Sequence, residues 1–107
     1  LVGGMGMAPC AEIGESHGLF QPAHGSAPDL TGKNKANPTA MYLSAAMMLE
    51  WLGNRHSYEP LFLSAKAIED SVFEGFYSKR IQPVEFGGPH GLKEHTQTLI
   101  SIVGEKY

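Results

Sequence analysis

The sequence predicts an α/β protein, to which these 107 residues should contribute mainly helices and one or two short strands. Two observations support this fold class. Glycine and proline punctuate residues 1–36, where the apolar run 18–23 is long enough for one buried strand. Residues 37–107 instead hold three segments with helical apolar periodicity. One or two short strands do not form a stable sheet by themselves. We therefore expect them to belong to a larger sheet, formed with strands outside this segment and covered by helices.

Composition and charge exclude several classes of function. The chain has 8 Lys and Arg against 11 Asp and Glu, a net charge of -3, which argues against a nucleic-acid partner. Its longest apolar run, residues 39–49, is far shorter than the roughly 20 residues that span a membrane. Cys10 is the only cysteine, so no internal disulfide can form, and we expect a small buried thiol in a soluble, cytoplasmic protein.

The first residues, LVGGMGMAPC, lack an initiator methionine and have the pattern of the end of a structural element. We therefore expect a fragment of one large domain, with a glycine-rich segment and nucleotide loop at residues 1–36 and a helical region at residues 37–107. The start of the sequence has neither the basic region nor the apolar core of a signal peptide.

The first helix is predicted to begin at Asn37 and Pro38 and to stop at Gly53. Asn37 can cap free N–H groups, proline suits the first helical position, and glycine is a common stop signal. Apolar residues occur nearly all round this segment. We therefore expect the helix to be buried in a larger body or at a subunit interface.

Two further helices are predicted after the first. The second, at residues 57–77, has one apolar stripe opposite a charged face, so it should dock on the core with one side in solvent. Residues 81–91 should be extended, and a third helix should cover residues 92–103. The second helix is expected to bury Leu61, Ala65, Ile68, Val72 and Phe76, and the third Leu92, Leu99, Ile102 and Val103.

A loop of unusual composition, HGSAPDLTGKNKANP at residues 24–38, precedes the first helix. Gly25 lets the backbone approach a ligand closely, and Pro28 fixes the chain just before Asp29. A carboxylate there could accept hydrogen bonds from both hydroxyls of a ribose and would repel a 2′-phosphate, which predicts NAD rather than NADP. Asn37 is either a helix cap alone or a contact to an adenine edge, because its amide has a donor and an acceptor. His24 could reach adenine or ribose.

Two ordered strings, GGMGMAPCAEIG at residues 3–14 and LFQPAHGSAPDLTGKNKANPTAMYLSAAMMLEWLG at residues 19–53, resemble the C-terminal part of the β-decarboxylating dehydrogenases. This family includes isopropylmalate, isocitrate and tartrate dehydrogenases. In NAD-using members an Asp followed by a Leu is typical, as at Asp29 and Leu30. Gln21 departs from the glutamate of many members, which leaves its role open. The resemblance implies that the adenosine half of NAD is bound by His24, Gly25, Ser26, Ala27, Asp29, Leu30 and Asn37.

The resemblance also implies an activity. Such enzymes oxidise a 2-hydroxy acid by hydride transfer to NAD and then release the β-carboxyl group, with the help of Mg²⁺ or Mn²⁺. We expect a homodimer whose catalytic residues and metal ligands lie upstream of this segment or on the partner subunit. His90 and His95 do not have the i, i+4 spacing of a helical zinc site. The segment should therefore hold cofactor contacts, no catalytic residue and no metal ligand.

Three interpretations of function remain at this stage. The first is an enzyme acting on 3-isopropylmalate, which the form of the loop favours, with isocitrate and tartrate as open alternatives. The second is a non-catalytic nucleotide-binding subunit or remnant of the same family. The third is that this segment in isolation binds nothing, because half of the cofactor site and most of the sheet would be missing.

Overall fold

The computed structural model of the chain describes residues 9–22, 32–83 and 88–106. The described residues form a two-stranded antiparallel sheet and three helices, which confirms the prediction of a mainly helical segment with one or two short strands. In chain order the elements are β1 (Pro9–Ile13), β2 (Gly18–Pro22), α1 (Thr39–His56), α2 (Glu59–Tyr77) and α3 (Leu92–Lys106).

Strands β1 and β2 form a hairpin that packs on α1. Cys10 pairs with Gln21 across the sheet. The hairpin is held to the helix by the ring of Phe20, whose centroid lies 5.9 Å from that of Trp51. Arg55 stacks over the same indole at 5.2 Å and donates to the backbone carbonyl of residue 15 at 2.7 Å. This contact covers one face of the hairpin and leaves the other open.

The burial of this hairpin differs from the sequence prediction. The run at residues 18–23 was expected to form a buried strand, but Leu19 is exposed and only Phe20 and Pro22 of β2 are half-buried. Within the described part of the chain no second layer covers the outer face. Cys10, predicted to be a buried thiol, is half-buried on β1. Strand β1 itself was missed, because its short stretch follows glycine-rich sequence and begins with a proline.

Helix α1 begins close to the predicted position and ends later than predicted. Asn37 accepts the backbone N–H of Thr39, the first helical residue, at 3.1 Å. Gly53 is not a stop: the helix continues to His56 and ends at Ser57, which has a left-handed φ of 51°. A Cβ at Gly53 would lie 3.0 Å from the backbone nitrogen of Phe62. This glycine therefore permits close approach of α2 rather than terminating α1.

The fully buried residues of α1 are all small, and two of its methionines are exposed. Ala40, Ser44 and Ala46 are buried, whereas Met41 is 55% exposed and Met48 is 38% exposed. The expected cover for this outward face does not come from the described residues. Its burial at a subunit interface or within a larger body stays a prediction.

A small core lies where the three helices meet. Val72 of α2 packs with Leu99 and Ile102 of α3 and with Ile81 of the connecting segment. The predicted stripe of α2 is confirmed, since Ala65 and Val72 are buried and the other members are half-buried. The prediction for α3 is right for Leu99 and Ile102, which are buried. Val103 is half-buried, and Leu92 is 38% exposed because it begins the helix at the edge of the core.

His95 of α3 is fully buried, which the sequence analysis did not anticipate. Its ring makes edge contacts with Tyr42 and Phe76, at centroid distances of 5.9 and 5.8 Å. Its Nε2 lies 3.4 Å from Thr39 Oγ1. Burial, together with repulsion from His90, lowers the pKa of His95 to about 4. The imidazole is therefore neutral in the folded protein at neutral pH.

The buried histidine should make stability depend on pH. The unfolded chain protonates His95 near pH 6.5, whereas the folded chain does so only near pH 4, so stability is full above pH 6.5 and falls as the pH drops towards 4. The contribution is about 1.4 kcal/mol per pH unit in that window. Urea unfolding of the full-length protein between pH 7 and 5 should show a shallower slope for His95→Gln than for wild type. Equal slopes would contradict the prediction, and His56→Gln, at an exposed position, is the control.

Replacing two helical glycines by alanine should change the free energy of unfolding in opposite directions. Gly104→Ala adds a methyl group where no atom lies within 4 Å, and helix propensity should raise the free energy of unfolding by up to about 1 kcal/mol. Gly53→Ala has the same propensity gain, but overpacking against α2 costs about 1–3 kcal/mol. Chemical denaturation of the full-length variants should therefore rank Gly104→Ala above Gly53→Ala. Equal stabilisation by both substitutions would show that the α1–α2 contact is looser than described.

Candidate functional site

The predicted adenosine-binding positions fall mostly outside the described residues. Six of them, His24, Gly25, Ser26, Ala27, Asp29 and Leu30, lie in residues 23–31, and their predicted roles stay predictions. Asn37 is described, as are the two flanks of the loop: β2, which ends at Pro22, and the segment that resumes at Gly32. The candidate site is therefore built from the downstream flank and from the helices that hold it.

Asn37 stands directly before α1 and is half-buried. Its Oδ1 accepts two hydrogen bonds from Thr39, one from the backbone N–H at 3.1 Å and one from the hydroxyl at 2.6 Å. A carbonyl oxygen has two lone pairs, so these bonds occupy the acceptor end of the amide. The helix-capping role of Asn37 is thus observed, and its contact with an adenine edge stays a prediction. The acceptor that the sequence analysis offered to adenine is used inside the protein.

Asn34 fixes the same segment to the amino end of α3. Its backbone carbonyl accepts the N–H of Leu92 at 3.2 Å, and its Oδ1 accepts the N–H of Lys93 at 2.8 Å. The first N–H groups of a helix have no partner within the helix, so Asn34 supplies from a distant loop what a capping residue normally supplies. Asn34 has a left-handed φ of 57°, a conformation that asparagine tolerates better than most residues.

Gly91 and Glu94 complete this junction. A Cβ at Gly91 would collide with the carbonyl oxygen of Asn34, so no side chain fits at residue 91 in this arrangement. Glu94, the third residue of α3, accepts the N–H of Gly91 at 2.9 Å, as in a capping box. Its two oxygens lie 3.4 and 3.3 Å from Asn34 Nδ2. The bonds from the Gly91 N–H and then from Asn34 hold the pKa of Glu94 below its usual value, which keeps the carboxylate ionised.

The sequence analysis missed this junction. One local signal was present, a glutamate three residues after Gly91 in GLKE, which is typical of a helix start. No local signal pairs Asn34 with a helix that begins 58 residues later. Lys33 and Lys35, its neighbours, are exposed.

Among residues 9–22, 32–83 and 88–106, no group of three or more His, Cys, Asp or Glu side chains could hold a metal ion. No helix in the described ranges is both long and apolar enough to cross a membrane.

The chain is similar to dehydrogenases of one family. The 3-isopropylmalate/3-methylmalate dehydrogenase of Methanocaldococcus jannaschii is 56% identical over 74 residues, which cover 69% of this chain and 21% of the relative. A regulatory subunit of the mitochondrial NAD isocitrate dehydrogenase of Dictyostelium discoideum is 39% identical over 106 residues, 98% of this chain and 28% of the relative. The NADP isocitrate dehydrogenase of Archaeoglobus fulgidus is 37% identical over 100 residues, 94% of this chain and 24% of the relative.

A solved structure and a family model agree with these similarities. The crystal structure of the TT0538 protein from Thermus thermophilus matches with a TM-score of 0.82 and 36% identity, over 97% of this chain and 20% of that one. The chain thus spans about a fifth to just over a quarter of the length of these proteins. The family model described as isocitrate/isopropylmalate dehydrogenase matches residues 1–102. The fold and family expected from the loop and its flanks are therefore confirmed, and the chain belongs to the isocitrate/isopropylmalate dehydrogenase family.

Proposed function

We propose that this chain provides the adenosine-binding part of an NAD-dependent dehydrogenase that oxidises a 2-hydroxy acid and releases its β-carboxyl group as carbon dioxide. The observation that carries the proposal is the fixed position of Asn37 at the downstream end of the HGSAPDL loop. Its amide is held by Thr39, and the segment before it is held by Asn34. A binding loop with an immobilised end loses less entropy when it closes on a ligand.

One residue of the loop fits the ribose of a purine nucleoside. Asp29 is suited to the two ribose hydroxyls of NAD and would repel the 2′-phosphate of NADP. Because both NAD and NADP enzymes occur among the relatives, the choice of NAD rests on Asp29 and Leu30.

The proposed reaction takes its chemistry from groups outside this chain. A bound Mg²⁺ or Mn²⁺ supplies a Lewis acid for the new carbonyl and the enolate. Its ligands and the acid–base residues are proposed to lie in the rest of the protein or on the partner subunit. The residues of this chain are proposed to bind and orient the adenosine end of the cofactor and to take no part in proton or hydride transfer.

The proposed substrate is 3-isopropylmalate, with isocitrate and tartrate as alternatives. The names of the relatives support a dicarboxylic or tricarboxylic 2-hydroxy acid, since they include 3-isopropylmalate, 3-methylmalate, isocitrate and homoisocitrate. The full-length protein should be assayed with each of these acids and tartrate, with NAD or NADP and with Mg²⁺ or Mn²⁺. Reduction of NAD with one acid is the expected result. Turnover with NADP alone would contradict the assignment of Asp29.

A second candidate, a regulatory subunit, is favoured by one observation. The Dictyostelium relative that carries this name matches 98% of the chain. Such a subunit would bind nucleotide without reducing it with any acid. Binding of NAD measured calorimetrically on a protein with no turnover would support this candidate over the enzyme.

Homodimer formation is part of the same proposal. The outward apolar residues of α1, including Met41 at 55% exposure, need a cover that the described residues do not provide. Sedimentation of the full-length protein should give twice the mass of one chain. A monomer at micromolar concentration would contradict homodimer formation without affecting the proposed cofactor site.

Removal of the Asn34 side chain should weaken cofactor binding. Asn34→Ala loses the bonds to Lys93 N and Glu94, which releases the loop end from α3. We expect the KM for NAD to rise roughly 3- to 10-fold, the effect of losing about 1 kcal/mol. The kcat at saturating NAD should stay within about twofold, because no reacting group is touched.

The control for Asn34→Ala is Asn54→Ala, the same chemical change at an exposed position of α1. Steady-state kinetics and thermal unfolding should be measured on both full-length variants. An unchanged KM for NAD in folded Asn34→Ala would show that the junction stabilises α3 without positioning the loop.

A further inference from the structure

Helix α2 exposes large aromatic side chains on the side opposite its core contacts. Ala65 and Val72 are buried on the core side of the helix. Residues at spacings of three and four lie on one face of a helix. On the opposite side this spacing brings together five residues, which we call the outer face of α2: Phe62, Lys66, Asp70, Phe73 and Tyr77. The three aromatic members are exposed, Phe73 by 53%. Grouped aromatic exposure of this kind is typical of a contact surface.

The charged members of the outer face lie between the aromatic ones. Lys66 Nζ lies 3.5 Å from Asp70 Oδ2 within the helix, and the lysine side chain stays largely exposed. An exposed pair of this kind contributes little to stability by itself. From residue 62 to residue 73 the order is aromatic, positive, negative, aromatic. The midpoint of 66 and 70 is 68, and that of 62 and 73 falls between 67 and 68, so the face is symmetric about one point.

This symmetry makes the face complementary to itself. In a two-fold contact, if one residue meets a second residue of the other copy, the second also meets the first. An axis at residue 68 packs two copies of α2 antiparallel. Phe62 then lies beside Phe73 of the other copy, and Lys66 beside Asp70 of the other copy, each twice. Moving the axis to residue 66 or to residue 70 would instead bring two lysines or two aspartates together, which is unfavourable.

We propose that the outer face of α2 is a contact surface for a second copy of the protein, packed antiparallel about a two-fold axis near residue 68. The inference is argued from α2 alone and does not rest on the proposed function. One helix from each copy buries less than the roughly 1,600 Å² of a standard stable interface, so the association is reversible. It doubles the mass of the unit present at low concentration, which is the homodimer if the proposal above holds.

Sedimentation of the full-length protein over roughly two decades of concentration tests the contact. The average mass of wild type should rise to twice its value at the lowest concentration. Phe73→Glu should keep the low value throughout, because the contact would bury a charge beside Phe62 of the other copy. The control is Ile100→Glu, the same kind of change at a 65% exposed position of α3, which should associate as wild type does.

Charge reversal separates the contact between copies from the ion pair within one helix. Lys66→Glu and Asp70→Lys each place like charges together across the contact, so each variant alone should keep the low mass. In an equimolar mixture of the two, every pair across the contact is again one acid and one base. The pairs within each helix stay repulsive in the mixture. A recovered high mass therefore reports the contact between copies alone.

Three results would overturn the proposal. The first is a wild-type mass equal to that of Phe73→Glu at every concentration, and the second is a mixture no heavier than its two components. The third is a Phe73→Glu protein that unfolds at a lower temperature than Ile100→Glu with no difference in mass, which would assign the face to another part of the same chain. NAD reduction by these variants should match wild type, and its absence in every protein would contradict the proposed function and leave the contact unaffected.

Discussion

The amino end of α3 imposes the constraint on which the candidate site depends. Its first N–H groups need acceptors, and Asn34 supplies two of them, one from its backbone and one from its side chain. This requirement fixes Asn34, which lies between the predicted adenosine contacts at residues 24–30 and Asn37. It also brings the start of α1 beside α3, where Thr39 meets His95. The loop end, the two helices and the buried histidine are thus held by one satisfied helix terminus.

The two anchors of the loop differ in what they fix. Asn34 acts on the backbone and sets where the segment lies, whereas Thr39 acts on a side chain and sets which atom of Asn37 faces inward. Position and orientation contribute separately to affinity, because each removes a different freedom from the unbound protein. Both anchors are in place in the structure without any ligand.

Sequence analysis predicted correctly those features that depend on residues close together in the chain. Apolar spacing predicts the three helices and the apolar stripe of α2, and nearby capping residues predict where α1 begins. The prediction that α1 stops at Gly53 was wrong, because glycine is common both at helix ends and where another element packs closely. Only the contact with Phe62 shows that Gly53 has the second role. The family was identified from the ordered sequence of the loop, since an ordered motif holds more information than composition. The partners of Asn34 and His95 could not be predicted, because contacts across more than 50 residues leave no periodic trace.

The close approach of Gly91 to Asn34 has a consequence for how such a sequence can diverge. A side chain at residue 91 would collide with the Asn34 carbonyl oxygen unless the backbone of that loop moved away. If residue 34 changes so that the loop withdraws, glycine at 91 loses its steric reason and a conventional capping side chain can replace it. Residues 34 and 91 are therefore expected to covary, because the position of the loop at residue 34 decides which residue can precede α3.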